Sequence, residues 1–179
     1  AFGAHDMGWI RANSPASAQI RDLTSGYAVI NVCGPLAREV LAASSEDDVS
    51  NGAFRYGRAR RITVGSAPVL ALRIGYTGEL GWELHIPTEY AAHVYDVLRR
   101  AGEAHGIVDV GYRAIDRLRV EKGYVYWSTD VTPDTTPLEA GLEWRIDWTK
   151  GDFLGRAALD AQRQAGVTRR LCTFTLEHM

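Results

Sequence analysis

An α+β fold, with mixed or antiparallel sheets flanked by helices, is what this sequence predicts, and three observations predict it. Short runs of alternating apolar and polar residues are broken by glycine, proline and serine, the mark of strands and hairpins. Runs with helical spacing lie among them, but hairpins outnumber β-α-β crossovers, which argues against a doubly wound parallel sheet. The chain has 179 residues and is 46% hydrophobic, enough for a core in one domain or two small ones.

The elements follow in order. Residues 27–32 (Y-A-V-I-N-V) read as a buried strand, ended by Gly34-Pro35. A helix is predicted over 35–43, with proline at a favourable first position. Residues 44–57 are polar and turn-rich. Residues 60–64 and 68–74 form a hairpin around Gly65-Ser66. Residues 82–86 are a further strand. Thr88 is expected to cap a helix with Ala91, Val94, Val97, Leu98 and Ala101 on one face, ending near Gly102 or Gly106. A helix over 111–122 buries Ile115 and Leu118 and lines its exposed face with Arg113, Arg117 and Glu121 as ion pairs. Residues 130–137 are a loop with two prolines. Leu142, Trp144 and Ile146 alternate with Glu143 and Arg145 as a strand would, residues 155–165 form a last helix, and 171–176 alternate again. There is no internal repeat and no low-complexity tract.

Composition narrows the function classes. A net charge of −2 gives no pull towards nucleic acid or anionic membrane. No apolar run approaches a membrane span, and no basic-then-apolar leader opens the chain. Cys33 and Cys172 have no C-x-x-C partner and read as two buried free thiols, so no metal site is expected. Lys122 and Lys150 are the only lysines, which with abundant alanine points to a GC-rich bacterial genome; a bacterial version is expected in the cytoplasm. Ala1-Phe2-Gly3 is not a natural start, and the 171–176 run stops at Glu177-His178-Met179, so the chain reads as a piece of a longer protein. Phosphate-loop, dinucleotide, zinc-protease and nucleophile-elbow motifs are all missing.

The chemistry concentrates in 76–85, Y-T-G-E-L-G-W-E-L-H. Alternation puts Trp82, Leu84 and Ile86 on one strand face and Glu83 and His85 on the other. Against solvent, Glu83 and His85 are an ordinary polar face. Against a cavity, Glu83 is a fixed carboxylate that needs a partner with paired N–H donors. Tyr76 and Trp144 suit stacking on a flat ring, although core packing is the commoner fate of a single aromatic. Glu79 is expected to hold the turn amides. Thr136 and Glu139 have capping-box spacing, and His5-Asp6 reads as surface chemistry.

Several spaced motifs in one order resemble the glycine-cleavage T-protein (aminomethyltransferase) family across nearly the whole chain. They are V-C-G-P-L-A-R-E-V-L at 32–41, Y-T-G-E-L-G-W-E-L at 76–84, R-A-I-D-R-L-R-V-E-K-G-Y at 113–124, T-T-P-L-E-A-G-L at 135–142 and K-G-D-F-L-G at 150–155. Within the family, E-L-G-W-E, L-R-V-E-K-G-Y with Trp127, and the K-G-D-F-L-G run are most similar to the C-terminal folate domains of sarcosine and dimethylglycine dehydrogenases and oxidases.

The resemblance implies a folate-binding domain of which residues 1–179 are the central part, with a ferredoxin-like subdomain over about 52–106. It implies that tetrahydrofolate receives a one-carbon unit, from an iminium, formaldehyde or an aminomethyl group, to give 5,10-methylenetetrahydrofolate. FAD is expected only in a separate domain of the parent protein. The folate-binding carboxylate is carried to Glu83 and the ring-proximal tyrosine to Tyr76, while Leu84, His85 and Trp144 adjoin the folate in the demethylase branch. The catalytic aspartate and the closing β-barrel are expected outside this chain, so no catalytic residue is assigned within it. T-protein's arginine before the aspartate of A-R-D-S-L-R is here Ile115, which favours the demethylase branch. The alternative is a non-catalytic folate-binding or sensing module. One such branch carries K-G-C-Y-x-G-Q, which Lys122-Gly123-Tyr124 does not match. A eukaryotic version is expected in the mitochondrion.

Overall fold

A computed structural model describes residues 3–176. The first two residues and 177–179, on which the expectation of cut ends rests, lie outside the described residues. The chain divides into two compact units: residues 1–75 with 80–107, and residues 76–79 with 108–179.

Unit 1 opens with α1 (Gly3–Ala12), which buries no side chain. It is built on four strands, β1 (Tyr27–Cys33), β2 (Ala59–Val64), β3 (Ala67–Leu72) and β4 (Gly81–Pro87), all antiparallel in the order β1-β4-β3-β2. Two helices, α2 (Ala37–Ser44) and α3 (Ala91–Gly102), pack together and cover one face. The α+β expectation holds. The range 52–106 takes in β2, β3, β4 and α3, while β1 and α2 precede it.

Strand alternation decides what is buried. Trp82, Leu84 and Ile86 of β4 are fully buried, as are Val64, Ala67 and Ala71 of the hairpin. Val40 and Leu41 of α2 and Val94 and Leu98 of α3 close over them. The hairpin turn needs Gly65. Its φ is +58°, and a Cβ there would sit 2.7 Å from the His93 ring of α3. The polar loop 45–58 is pinned by three arginines. Arg38 donates to the carbonyl of Val49, Arg60 to that of Asp48, and Arg73 to that of Phe54. Arg38 and Arg73 also lie over the buried Trp82 ring, 5.1 and 5.6 Å from its centre.

Three local expectations change here. Thr88 does not cap α3; it begins a one-turn 3₁₀ helix, and its hydroxyl donates instead to the carbonyl of Ser25 at 3.1 Å. Cys33 and Cys172 are free but exposed rather than buried. Cys33 follows inward-facing Val32, so alternation turns its thiol outward. Glu79 is exposed, and among the described residues its carboxylate makes no hydrogen bond to the turn amides. The turn is set by Gly78, at φ +79°.

Unit 2 holds α4 (Tyr112–Glu121) and α5 (Arg156–Ala165) joined by hydrogen-bonded turns. Ile115 and Leu118 of α4 are only half-buried, and the fully buried side chain is Arg119. No ion pair joins Arg113, Arg117 and Glu121 among the described residues, since pairing long exposed side chains in water gains little. Residues 142–146 do not form the expected strand. Glu143–Arg145 is a one-turn 3₁₀ helix, closed by Arg145 N–H to the Leu142 carbonyl and Ile146 N–H to that of Glu143. Residues 171–176 also lack strand pairing; Leu171 N–H donates to the Glu139 carbonyl. The capping-box pair is present: Thr136 N–H donates to Glu139 Oε2 at 2.9 Å, and Glu139 N–H to Thr136 Oγ1 at 3.2 Å. His5 and Asp6 are 3.2 Å apart and exposed.

Candidate functional site

In unit 1 the site begins with β4, an inner strand of the sheet. Glu83 is flanked by Asn31 of β1 and Leu72 of β3, and His85 by Val29 and Leu70. The fully buried Trp82 and Leu84 lock the strand from below, so the direction of Glu83 is fixed by the core. Gly81 permits the close approach of β1. A Cβ there would lie 2.8 Å from the Val32 carbonyl oxygen.

Glu83 and His85 keep only 28% and 29% of their side-chain surface. Glu83 Oε2 and His85 Nε2 are 3.7 Å apart, an ion-pair distance for a protonated imidazole but too long for a hydrogen bond. His85 Nε2 is shielded from solvent and has no hydrogen-bond partner. Among the described residues no N–H or O–H donates to the Glu83 carboxylate. Burying polar groups without partners is costly, and the open part of this pair can still take hydrogen bonds from water or another molecule. Half-buried Leu70 and Leu72 flank it on β3. Leu84 is different. Its side chain is 0% exposed and faces the core, so only its main chain adjoins the Glu83 face.

Tyr76 and Trp144 belong to unit 2. The Tyr76 hydroxyl donates to the Val125 carbonyl at 2.7 Å, and its ring stacks on Tyr124 with centres 6.0 Å apart and planes 17° apart. Burial pushes the Tyr76 pKa up and Asp130 and Tyr126 add to this against Arg119, keeping the hydroxyl a donor. Trp144 is 68% exposed, with the Arg145 guanidinium 3.9 Å from its ring centre. It borders an open cleft of about 570 Å³ with Ile146, Trp148, Arg163 and Arg170. Tyr76 does not line that cleft.

Sequence reasoning passed over Arg119, which is 5% exposed. Its Nε and Nη2 lie 2.9 and 2.8 Å from Asp116 Oδ1, and its Nη1 donates to Asp130 and, at 3.1 Å, to the Tyr124 carbonyl. Burial alone would lower its pKa, and the two carboxylates reverse that, so the net direction is up. The signal was the Asp116-x-x-Arg119 spacing, one helical turn. Among the described residues no three His, Cys, Asp or Glu side chains converge as a metal site needs. No helix there is long and apolar enough to cross a membrane.

Comparison with known proteins bears on all of this. Residues 1–150 match the family described as the GCVT N-terminal domain. The chain is 42% identical over 163 residues to human mitochondrial sarcosine dehydrogenase, covering 90% of this chain and 18% of that protein. It is 35% identical over 172 residues to an aminomethyltransferase of Halothermothrix orenii, covering 96% of this chain and 48% of that protein. The chain thus spans under a fifth of the first relative and about half of the second. The crystal structure of glycine cleavage system aminomethyltransferase T from Bartonella henselae shares the fold, with a TM-score of 0.51 at 22% identity, covering 79% of this chain and 62% of that one.

Proposed function

The chain belongs to the GCVT N-terminal domain family, and from that premise we propose that it binds tetrahydrofolate within a one-carbon transfer enzyme of the sarcosine or dimethylglycine dehydrogenase type. The product is 5,10-methylenetetrahydrofolate, and the one-carbon donor is an iminium, formaldehyde or an aminomethyl group. FAD belongs to a separate domain of such a protein. Identity of 42% to the dehydrogenase against 35% to the aminomethyltransferase supports this branch, as does Ile115 where T-protein has arginine. The setting is the bacterial cytoplasm, or the mitochondrion for a eukaryotic protein.

One observation carries the reading: Glu83 is a half-buried carboxylate, fixed by the core, to which no described residue donates a hydrogen bond. The residues fit a pterin. Its 2-amino group and adjacent ring N–H form a planar donor pair, and a carboxylate accepts such a pair through two parallel charge-assisted bonds. The His85 ring, 29% exposed, offers a second contact surface beside it. Tyr76 and Trp144 each present an exposed ring for stacking on a flat heterocycle. Leu84 supports the strand from beneath with its buried side chain, which does not face the ring. Tetrahydrofolate, when bound, supplies the nitrogens that take up the one-carbon unit. The chain's own contribution is orientation and partial exclusion of water.

Titration calorimetry with folinate tests this. Glu83→Gln keeps the shape but turns an amide N–H₂ towards the pterin donors. Charge-assisted bonds are worth about 1.5–3 kcal/mol, so affinity should fall roughly 10- to 100-fold. Equal affinity would sink the anchoring role.

A further inference from the structure

We infer that Arg119 is a positioning residue that holds the Tyr76–Tyr124 stack as a preorganised face for a flat ligand; this rests on the folate reading above. The guanidinium is 5% exposed, and its fork reaches three separate points. It lies against Asp116 of its own helix, and it donates to Asp130 and to the Tyr124 carbonyl. Asp130 Oδ2 in turn accepts the Tyr126 N–H at 2.8 Å. The main chain is therefore held on both sides of Val125, and the Val125 carbonyl is the acceptor for the Tyr76 hydroxyl. Tyr124 carries the first of these anchors on its carbonyl, and its ring is stacked on Tyr76.

The arrangement asks for more than stability. A buried ion pair contributes little net stability compared with an apolar replacement, but it fixes direction. A planar fork reaches two carboxylates and a carbonyl in fixed directions from several nitrogens, whereas a lysine ammonium has one nitrogen on a flexible stem. Tyr76, with its hydroxyl tied and one face on Tyr124, still keeps 36% of its surface exposed. A ring held in this way loses little freedom when a heterocycle stacks on it.

The test is a double-mutant cycle read by folinate titration, well below the unfolding temperature, with folding checked by circular dichroism. Arg119→Lys and Tyr76→Ala should each weaken binding on the order of tenfold. If Arg119 acts through Tyr76, the double variant should match Tyr76→Ala within about twofold. Asp130→Asn should behave like Arg119→Lys, and it carries the test if the lysine variant does not fold. Multiplying losses in the double variant, or wild-type binding by a folded Arg119→Lys, would overturn the positioning role. Wild-type binding by Tyr76→Ala would do so too. Glu83→Gln, titrated alongside, separates the two claims. Wild-type protein that does not bind folinate removes the folate reading and this role with it, whereas unchanged Glu83→Gln affinity removes only the Glu83 anchor. Weakened Glu83→Gln with multiplying Arg119 and Tyr76 losses removes only the positioning role.

Discussion

Replacing Gly81 by alanine should unzip the edge of the sheet that carries Glu83. Gly81 opens β4 opposite Cys33 of β1. Its φ is not in the left-handed region, so the cost is steric rather than conformational. A Cβ would stand 2.8 Å from the Val32 carbonyl oxygen and 3.1 Å from Cys33 Cβ. The nearest of these atoms is backbone, already committed to the β1–β4 ladder, so the strands must part by several tenths of an ångström. Overpacking of this kind costs about 1–3 kcal/mol. Unit 1 has roughly a hundred residues. A cost of about 2 kcal/mol should therefore lower its melting midpoint by about 8 °C. Fluorescence of the buried Trp82 during thermal or urea unfolding reads this transition. Gly26→Ala is the control, because its added Cβ meets nothing within 4 Å, and its stability should stay within about 0.5 kcal/mol. If Gly81→Ala were as stable as that control, the close approach of β1 to β4 would be wrong.

Two further outcomes follow from the packing and the charges. Leu84→Ala should cost about 3–4 kcal/mol, as expected for a fully buried leucine at a sheet centre, whereas Leu84→Met should keep both stability and folinate affinity. A stable Leu84→Met protein that lost folinate binding tenfold would place that side chain against the ligand instead of in the core. Glu139 has its pKa lowered by the Thr136 amide first and by Arg169 next. A carboxylate depressed in the folded state contributes stability above its unfolded value of about 4.3 and loses it as pH falls through the lower folded value. Unfolding of unit 2 should ease in that acid range, and Glu139→Gln should flatten the dependence. An unchanged pH profile in that variant would refute the role of the Thr136–Glu139–Arg169 cluster.

Much of unit 1 was legible because its strands bury one face. In β4 the period of two separates Trp82, Leu84 and Ile86 from Glu83 and His85, and the structure keeps that separation. The hairpin was legible from Gly65-Ser66, whose chemistry is local. Contacts distant in sequence were not legible. Thr88 has the look of a helix cap, but its hydroxyl is taken by Ser25, sixty-three residues earlier. The alternation at 142–146 resembles a strand, yet among the described residues no strand lies beside it, so its amides close a local 3₁₀ turn. Arg119 was hidden because a charged residue on a helix is normally solvated. Its burial depends on Asp130, eleven residues on, and on the carbonyl of Tyr124. Of the candidate site, alternation and the family motif together singled out Glu83, and the structure shows it half-buried on β4 while Glu79 is exposed in the turn. The orphaned nitrogen of His85 was not legible, because it depends on what β1 and β3 place on either side.

The central claim is that Glu83 receives the pterin, and a crystal structure of the protein with folinate tests it most directly. The account predicts the 2-amino and neighbouring ring N–H of the pterin at about 2.7–3.0 Å from the two Glu83 oxygens. Folinate bound with its pterin N–H edge beyond about 3.5 Å from Glu83, and Glu83 and His85 facing water, would contradict it.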